Sequence, residues 1–433
     1  MDSSWSNICL IIYILAWLIS FVKYQVKRKI FDAGSFLLLS YTFFAFLSWR
    51  LYNNPVYEYG SKPIYLFPFI YLFLMLLMAT STVMRYDTTR VDKIQRPPKI
   101  FFIVILFFFV FTSLAHLPSS INHFGEGVVK LMLDDSVGQS LYEDSMEKGS
   151  NDGDGTISNL SAIFSSAFYN VGVLFTFYYL TLPNRKKLIT IALILSCLMG
   201  ILAYISLGQR GGVYLRTMTI IVTYFAFRRF YSKKTNRIVG VTGIGLLFLI
   251  SIPIIAITSS RFEDKEGGAL GNVMVYMGQE NINFNSNALD DGGIRYGDRT
   301  ALLFKKMMGF QNVPDNFWQR REKYSNLKMD DEVFYTFVGD FTIDYGPVVA
   351  VLLFIVFTVL FNKLTRVRGR TVLFHQLILI HFVMCVCAQG AMELFTFSDV
   401  AGNLQLIVVF LSYLLCLCVY KAKYNSEIIV NNR

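Results

Sequence analysis

The stretch from Leu188 to Phe227, LITIALILSCLMGILAYISLGQRGGVYLRTMTIIVTYFAF, decides what kind of protein this is. It holds two apolar runs, 188–208 and 211–227, each close to the roughly 17–25 residues that span a bilayer's hydrocarbon core. Arg185, Lys186 and Lys187 precede the first run, and Arg228 and Arg229 follow the second. The turn between them, Gly208-Gln209-Arg210-Gly211-Gly212, carries one basic residue. Basic flanks on one side and a tight glycine turn on the other form the pattern of a hairpin of membrane helices.

The same reading extends along the chain. Further apolar runs lie at 5–22, 33–51, 63–84, 100–117, 158–182, 238–259, 345–362, 371–391 and 400–420. Composition agrees: of 433 residues, 54% are hydrophobic and 16% charged, where a soluble chain carries about a quarter charged. That balance excludes a soluble multidomain protein, a disordered chain, a coiled coil and a secreted disulfide scaffold. The net charge of +10 does not point to nucleic acid. Most Lys and Arg fall in six clusters (23–29, 85–99, 185–187, 228–237, 363–370 and 421–433), every second connection between runs. By the positive-inside rule the basic connections face the cytoplasm, which places the N-terminus outside and the C-terminus inside. The first run follows Met1-Asp2-Ser3-Ser4 without a basic leader region, so it reads as a span rather than a signal peptide.

The expected fold is therefore an all-α polytopic membrane protein of about eleven transmembrane helices with a large helical outer loop. Residues 1–259 would supply helices one to eight, with an acidic outer loop at 118–157. Residues 260–344 would form a large extracytoplasmic cap, with helical spacing over 269–282 and 299–309. Residues 345–433 would supply the last three helices and a cytoplasmic tail. The six Cys fall inside apolar runs and suggest neither metal site nor disulfide. His375 and His381 read as interhelical hydrogen-bonding groups.

Chemistry must come from the polar residues at the outer ends. A guanidinium cannot lose its proton and offers five fixed donors, which suits a diphosphate. Arg210 stands between glycines that allow close approach, at a helix start whose free N–H groups favour an anion; a snorkelling interfacial Arg would look the same. Arg216 lies inside the next run, as a functional group or a buried structural pair. Arg261 opens the long loop, and Arg295 and Arg299 lie on it; surface pairing with the loop's acids is their plain alternative. Candidate bases are Glu332 and Asp340, in the run Asp330-Asp331-Glu332-Val333-Phe334-Tyr335-Thr336-Phe337-Val338-Gly339-Asp340 that leads into 345–362. Such acids also serve as ordinary helix N-terminal charges. No nucleotide-binding, zinc-protease or serine-hydrolase motif is present.

The order of these features resembles the oligosaccharide repeat-unit polymerases of the O-antigen and capsule pathways (Wzy type), related to the O-antigen ligases. The shared elements are Gly-x-Arg-Gly-Gly at a short outer turn, an Arg opening a long outer loop, and Gly339-Asp340-x-x-x-Asp344-Tyr345-Gly346 before the next span. The resemblance implies a GT-C-like membrane glycosyltransferase in the bacterial inner (cytoplasmic) membrane. It would join undecaprenyl-diphosphate-linked oligosaccharides, both donor and acceptor, with no cofactor and no metal. A chain-length regulator and a flippase would be its partners. Arg210 and Arg261 match the diphosphate-binding Arg residues of the ligases, with Arg299 and Arg216 as further candidates. The ligases carry a His late in the loop; 260–344 contains none, which leaves Glu332, Asp340 or Glu280 to substitute as the base. A ligase or a lipid-oligosaccharide transporter would be the alternatives. This reading predicts that Arg261→Ala abolishes long glycan chains while single lipid-linked repeats accumulate, and that a chelator leaves polymerisation unchanged. Both are measured by gel ladder; a requirement for added divalent ion contradicts the Arg-only scheme.

Overall fold

A computed structural model describes residues 3–115, 117, 156–206, 209–262, 268–329 and 335–431. In chain order its helices are α1 (Ser3–Arg28), α2 (Ala33–Tyr52), α3 (Leu66–Arg85), α4 (Lys99–Ala115), α5 (Thr156–Ala167), α6 (Tyr169–Leu180), α7 (Lys187–Ser206), α8 (Arg210–Phe227), α9 (Lys233–Phe262), α10 (Gly268–Asn287), α11 (Leu302–Met307), α12 (Phe317–Lys323), α13 (Phe337–Tyr345), α14 (Pro347–Leu364), α15 (Phe374–Gln389) and α16 (Asp399–Asn431). Among the described residues, seven helices, α1, α2, α3, α7, α9, α14 and α16, are long and apolar enough to cross a membrane. The architecture is that of a helical membrane protein. The bent pair α5–α6, the shorter α4 and α15, and α8 occupy the other runs. The acidic loop expected at 118–157 lies almost wholly outside the described residues.

Local sequence sets the helix ends. Asp32 starts α2, its carboxylate accepting from the Ser35 N–H at 3.0 Å. Gly346, at φ +80°, breaks what would otherwise be one helix into α13 and α14, and Pro347 opens the second. Gly309, at φ +75°, stops the short helix α11 near the end of the 299–309 segment. Two irregularities have no counterpart in the sequence reading. The run 158–182 bends by 59° at Phe168, and α4 contains a π-helical stretch, Leu106–Phe111.

The core runs through α6 and α15, whose side chains are all buried except that of Gln376 near the start of α15. Helices ringed by other helices need not match the bilayer thickness on their own, which fits the brevity of α15. Apolar residues also cover the outside, as with Ile238, Val241, Ile244 and Phe248 on α9 and Val348, Val356 and Val359 on α14. With apolar groups on both faces, helix pairing depends on packing and on polar contacts between helices. His381 Nε2 lies 2.7 Å from Thr223 Oγ1, Gln389 Nε2 donates to Thr219 Oγ1 at 2.7 Å, and Tyr41 donates to the Cys387 carbonyl at 2.9 Å. His375 packs edgewise against Tyr413.

The bundle has two dissimilar ends. At the basic end, strands β1 (Lys93–Ile94) and β2 (Thr371–Val372) pair in parallel and tie two of the basic connections together. At the other end lie α10 to α13. The sequence reading puts the first of these on an outer cap, but α10 is packed into the bundle end. Tyr13 donates to Asn281 Oδ1 at 3.2 Å, Asn281 Nδ2 donates to Ser48 Oγ at 3.0 Å, and Asn285 exchanges hydrogen bonds with the Tyr65 backbone. The reason is polar: the Asn-rich stretch 281–287 can enter an apolar bundle because α1, α2 and the start of α3 satisfy it. At Gly278 the helix meets backbone directly, since a Cβ there would lie 2.8 Å from the Leu47 carbonyl oxygen. Backbone cannot rotate away as a side chain can, so Gly278→Ala is expected to cost about 1–3 kcal/mol and to lower the thermal midpoint in detergent; an unchanged midpoint would contradict this packing.

Candidate functional site

At the end opposite the basic clusters, the first turn of α8 carries Arg210, Gly211 and Gly212. Both glycines are there for space. A Cβ on Gly212 would collide with the Tyr204 ring, and one on Gly211 would meet Glu393 Oε1 at 2.9 Å and the Tyr276 hydroxyl at 3.1 Å. A carboxyl group and a phenol therefore stand against the bare backbone of a helix start. That start has N–H groups without intrahelical partners and the positive end of the helix dipole. The Arg210 guanidinium lies over the Tyr276 ring, 4.8 Å from its centroid. Arg210, Tyr276 and Glu393 thus come from three separate elements: α8, α10 and the connection 390–398.

Glu393 is the residue that the sequence reading missed. It is half-buried, and no hydrogen bond or ion pair joins its carboxyl group to another described residue. Burial pushes its pKa from the ordinary 4.5 up to about 8, with the nearby Arg299 charge pulling the other way. The available signal was a lone acid in the apolar stretch Ala391-Met392-Glu393-Leu394-Phe395, just past a span's end. An ionisable group in such a place is costly and is by default functional.

The other candidates fall into different settings. Arg299 contacts Asp340, and its Nε lies 3.5 Å from Asp399 Oδ2. Arg295 donates to Asp340 at 2.6 Å and to Asp344 at 2.8 Å, and Arg320 pairs with Asp399. Asp340 is fully buried, and its second oxygen also accepts from the Phe395 N–H at 3.0 Å. Both of its oxygens are committed, so the geometry makes Asp340 a structural anchor instead of the base expected for it. Arg299, expected as a diphosphate contact, is likewise paired with carboxylates, Asp340 and Asp399. Its charge acts on the site through Glu393.

Glu280 is fully buried on α10, one turn beyond Tyr276 and on the same face. Its Oε1 accepts from Asn281, its Oε2 has no hydrogen-bond partner among the described residues, and burial holds its pKa well above the ordinary carboxyl range. Arg216 is buried, with its guanidinium 3.8 Å from the Tyr169 ring centroid, 5.5 Å from that of Tyr204, and donating to Ser166 at 3.1 Å. Among the described residues its partners are these aromatic faces and Ser166, and Tyr204 lies between it and the Gly212 side of the turn. Arg261 lies in the last turn of α9, but its side chain is outside the described residues, as is all of Glu332. No family model, curated protein or solved structure matches the chain.

Two outcomes are expected from thermal melts. Asp340→Ala leaves Arg295 and Arg299 without their shared carboxylate and should destabilise the protein by about 3–5 kcal/mol. Glu393 behaves differently. Its folded-state pKa is raised, so the fold favours the neutral form, and the wild type should lose stability relative to Glu393→Gln as pH rises from about 4.5 to about 8, then level off. A pH-independent difference would contradict this assignment.

Proposed function

We propose that the chain is a membrane glycosyltransferase that polymerises oligosaccharide repeat units carried on undecaprenyl diphosphate, as in O-antigen or capsule assembly. The observation that carries this reading is the meeting of Arg210, the Tyr276 hydroxyl and the Glu393 carboxyl on a glycine-lined helix start. A polyprenyl carrier lies in lipid with its diphosphate at the headgroup level and its sugars in water. A site at the end of a helical bundle is suited to that geometry.

In this reading all eleven apolar runs cross a bacterial inner membrane, in a GT-C-like arrangement. The basic end faces the cytoplasm, and the Arg210 end faces outward. Arg210 and the first N–H groups of α8 hold the donor diphosphate. The acceptor hydroxyl oxygen attacks the anomeric carbon of the donor sugar while the bond from that carbon to the phosphate oxygen breaks. The diphosphate leaves with the bonding electron pair, its charge stabilised by the guanidinium. Glu393 takes the hydroxyl proton. A base whose pKa is close to the working pH suits this step, and about 8 is close. Arg299 positions and tunes Glu393 and is itself held by Asp340 and Asp399. Glu280, buried one turn beyond Tyr276 on α10, lies on the same face of that helix.

The test uses purified protein in nanodiscs with lipid-diphosphate-linked repeat units, read by gel ladder. Arg210→Ala should slow extension by about 10²–10³, and Glu393→Gln by about 10²–10⁴ with carrier binding retained. The wild-type rate should rise with pH through about 8, because the base must lose its proton first. Normal extension by both variants would overturn the reading.

A further inference from the structure

The segment that joins α11 to α12 exposes large apolar side chains, although it belongs to none of the apolar runs. Met307 is 70% exposed, Met308 66%, Phe310 57% and Trp318 48%. Single apolar residues on a surface are ordinary, but four large ones between 307 and 318 make a patch that needs a partner. The patch is held together by its own contacts. Lys306 Nζ lies 2.9 Å from Asp315 Oδ1, which closes the segment into a loop, and the Phe310 N–H donates to the Lys305 carbonyl at 3.1 Å. The Trp318 ring packs edgewise on Phe317 with centroids 5.2 Å apart.

The height of the patch follows from α16. Between Asp399 and Lys421 that helix carries no charged residue, a stretch of about 30 Å at the helical rise, which matches the thickness of a bilayer's hydrocarbon. Asp399 therefore marks the hydrocarbon boundary at the Arg210 end. Both sides of the patch are tied to that level. The Leu303 N–H, one turn before Met307, donates to Asn403 Oδ1 at 2.9 Å, and Arg320, two residues after Trp318, pairs with Asp399. Val400 and Ala401, in the same turn of α16, are exposed. The patch thus continues the lipid-facing surface of α16 at its rim.

Its composition suits that place. Trp is enriched where hydrocarbon meets headgroups, because its ring is apolar and its N–H is not. The Arg321 guanidinium lies over the Phe317 and Trp318 rings, 5.5 and 5.9 Å from their centroids. A cation in that position keeps its head in the polar layer while its stem covers apolar surface. A patch meant for a soluble protein would stand clear of the bilayer; at the hydrocarbon boundary, lipid is already in contact.

We propose that Met307, Met308, Phe310 and Trp318 form a membrane foot, entering the headgroup–acyl boundary of the leaflet at the Arg210 end, where lipid covers them. Through α11 and α12 the foot ties the pairing of Asp399 with Arg299 and Arg320 to the bilayer surface. The assignment is independent of the glycosyltransferase reading and stands or falls without it.

The experiment is tryptophan fluorescence of the full chain in phosphatidylcholine nanodiscs. The chain has four Trp, so the signal of Trp318 is the difference between the wild type and Trp318→Phe, a change at an exposed ring that does not threaten folding. In lipid brominated near the heads of its acyl chains, this difference emission should lose most of its intensity, while acrylamide in the water should leave it nearly unchanged. Met308→Glu combined with Phe310→Glu, made in both backgrounds, should lift the foot: bromine quenching of the Trp318 signal falls and acrylamide quenching appears. Wild-type Trp318 emission that acrylamide quenches and bromine does not would overturn the proposal. Emission shielded from both quenchers would overturn it too, because protein, such as a second copy of the chain, would then cover the patch.

Discussion

Asp340 accepts hydrogen bonds from Arg295, Arg299 and the Phe395 N–H, in full burial. That one carboxylate joins three parts of the chain: the loop at 295–299, the short helix α13, and the connection between α15 and α16. Asp399, at the head of α16, extends the network to Arg299 and Arg320. A buried pair is rarely a large net source of stability, but removing one partner is severe because the other charge is stranded. What such a network supplies is position. It fixes where Phe395 can be, and Glu393 stands two residues before Phe395.

From this follows the character of Glu393. A carboxyl group placed next to a helix start would ordinarily ionise readily. Here burial disfavours its charge, and Arg299, whose charge pulls the other way, is already shared between two other carboxylates, so its proton is held to about 8. Gly211 makes the arrangement possible, because any side chain there would occupy the place of Glu393 Oε1 and the Tyr276 hydroxyl. Arg210 approaches Tyr276 from the same turn. A guanidinium that can meet an anion and a carboxyl group that can take a proton are what transfer from a diphosphate-linked donor requires.

Much of the fold was legible before any coordinate. Apolar runs separated by basic clusters are a strong signal because lipid permits few alternatives for the backbone, and the helices follow those runs. The Arg210 turn was legible for a similar reason: a lone Arg between glycines is conspicuous. Glu393 was not, since a single acid among Ala391, Met392, Leu394 and Phe395 belongs to no motif and draws its meaning from α8 and α10, more than a hundred residues away. Asp340 misled in the opposite direction. It lies in a motif-like run, yet its three donors appear only when 295–299 and 395 fold onto it. The depth of α10 was hidden because its Asn side chains look like those of a surface helix until Tyr13, Ser48 and Tyr65 are seen to satisfy them. The kink at Phe168 has no proline or glycine beside it, and the strand pair at the basic end is too short to leave a periodic trace.

The most direct measurement of the central claim is a cryo-EM reconstruction in nanodiscs with undecaprenyl diphosphate that carries no sugar. The account predicts diphosphate density at the first turn of α8, in contact with Arg210 and alongside Glu393. Density at another part of the bundle, with the Gly211 turn closed and Arg210 still lying over Tyr276 as in the free protein, would contradict it.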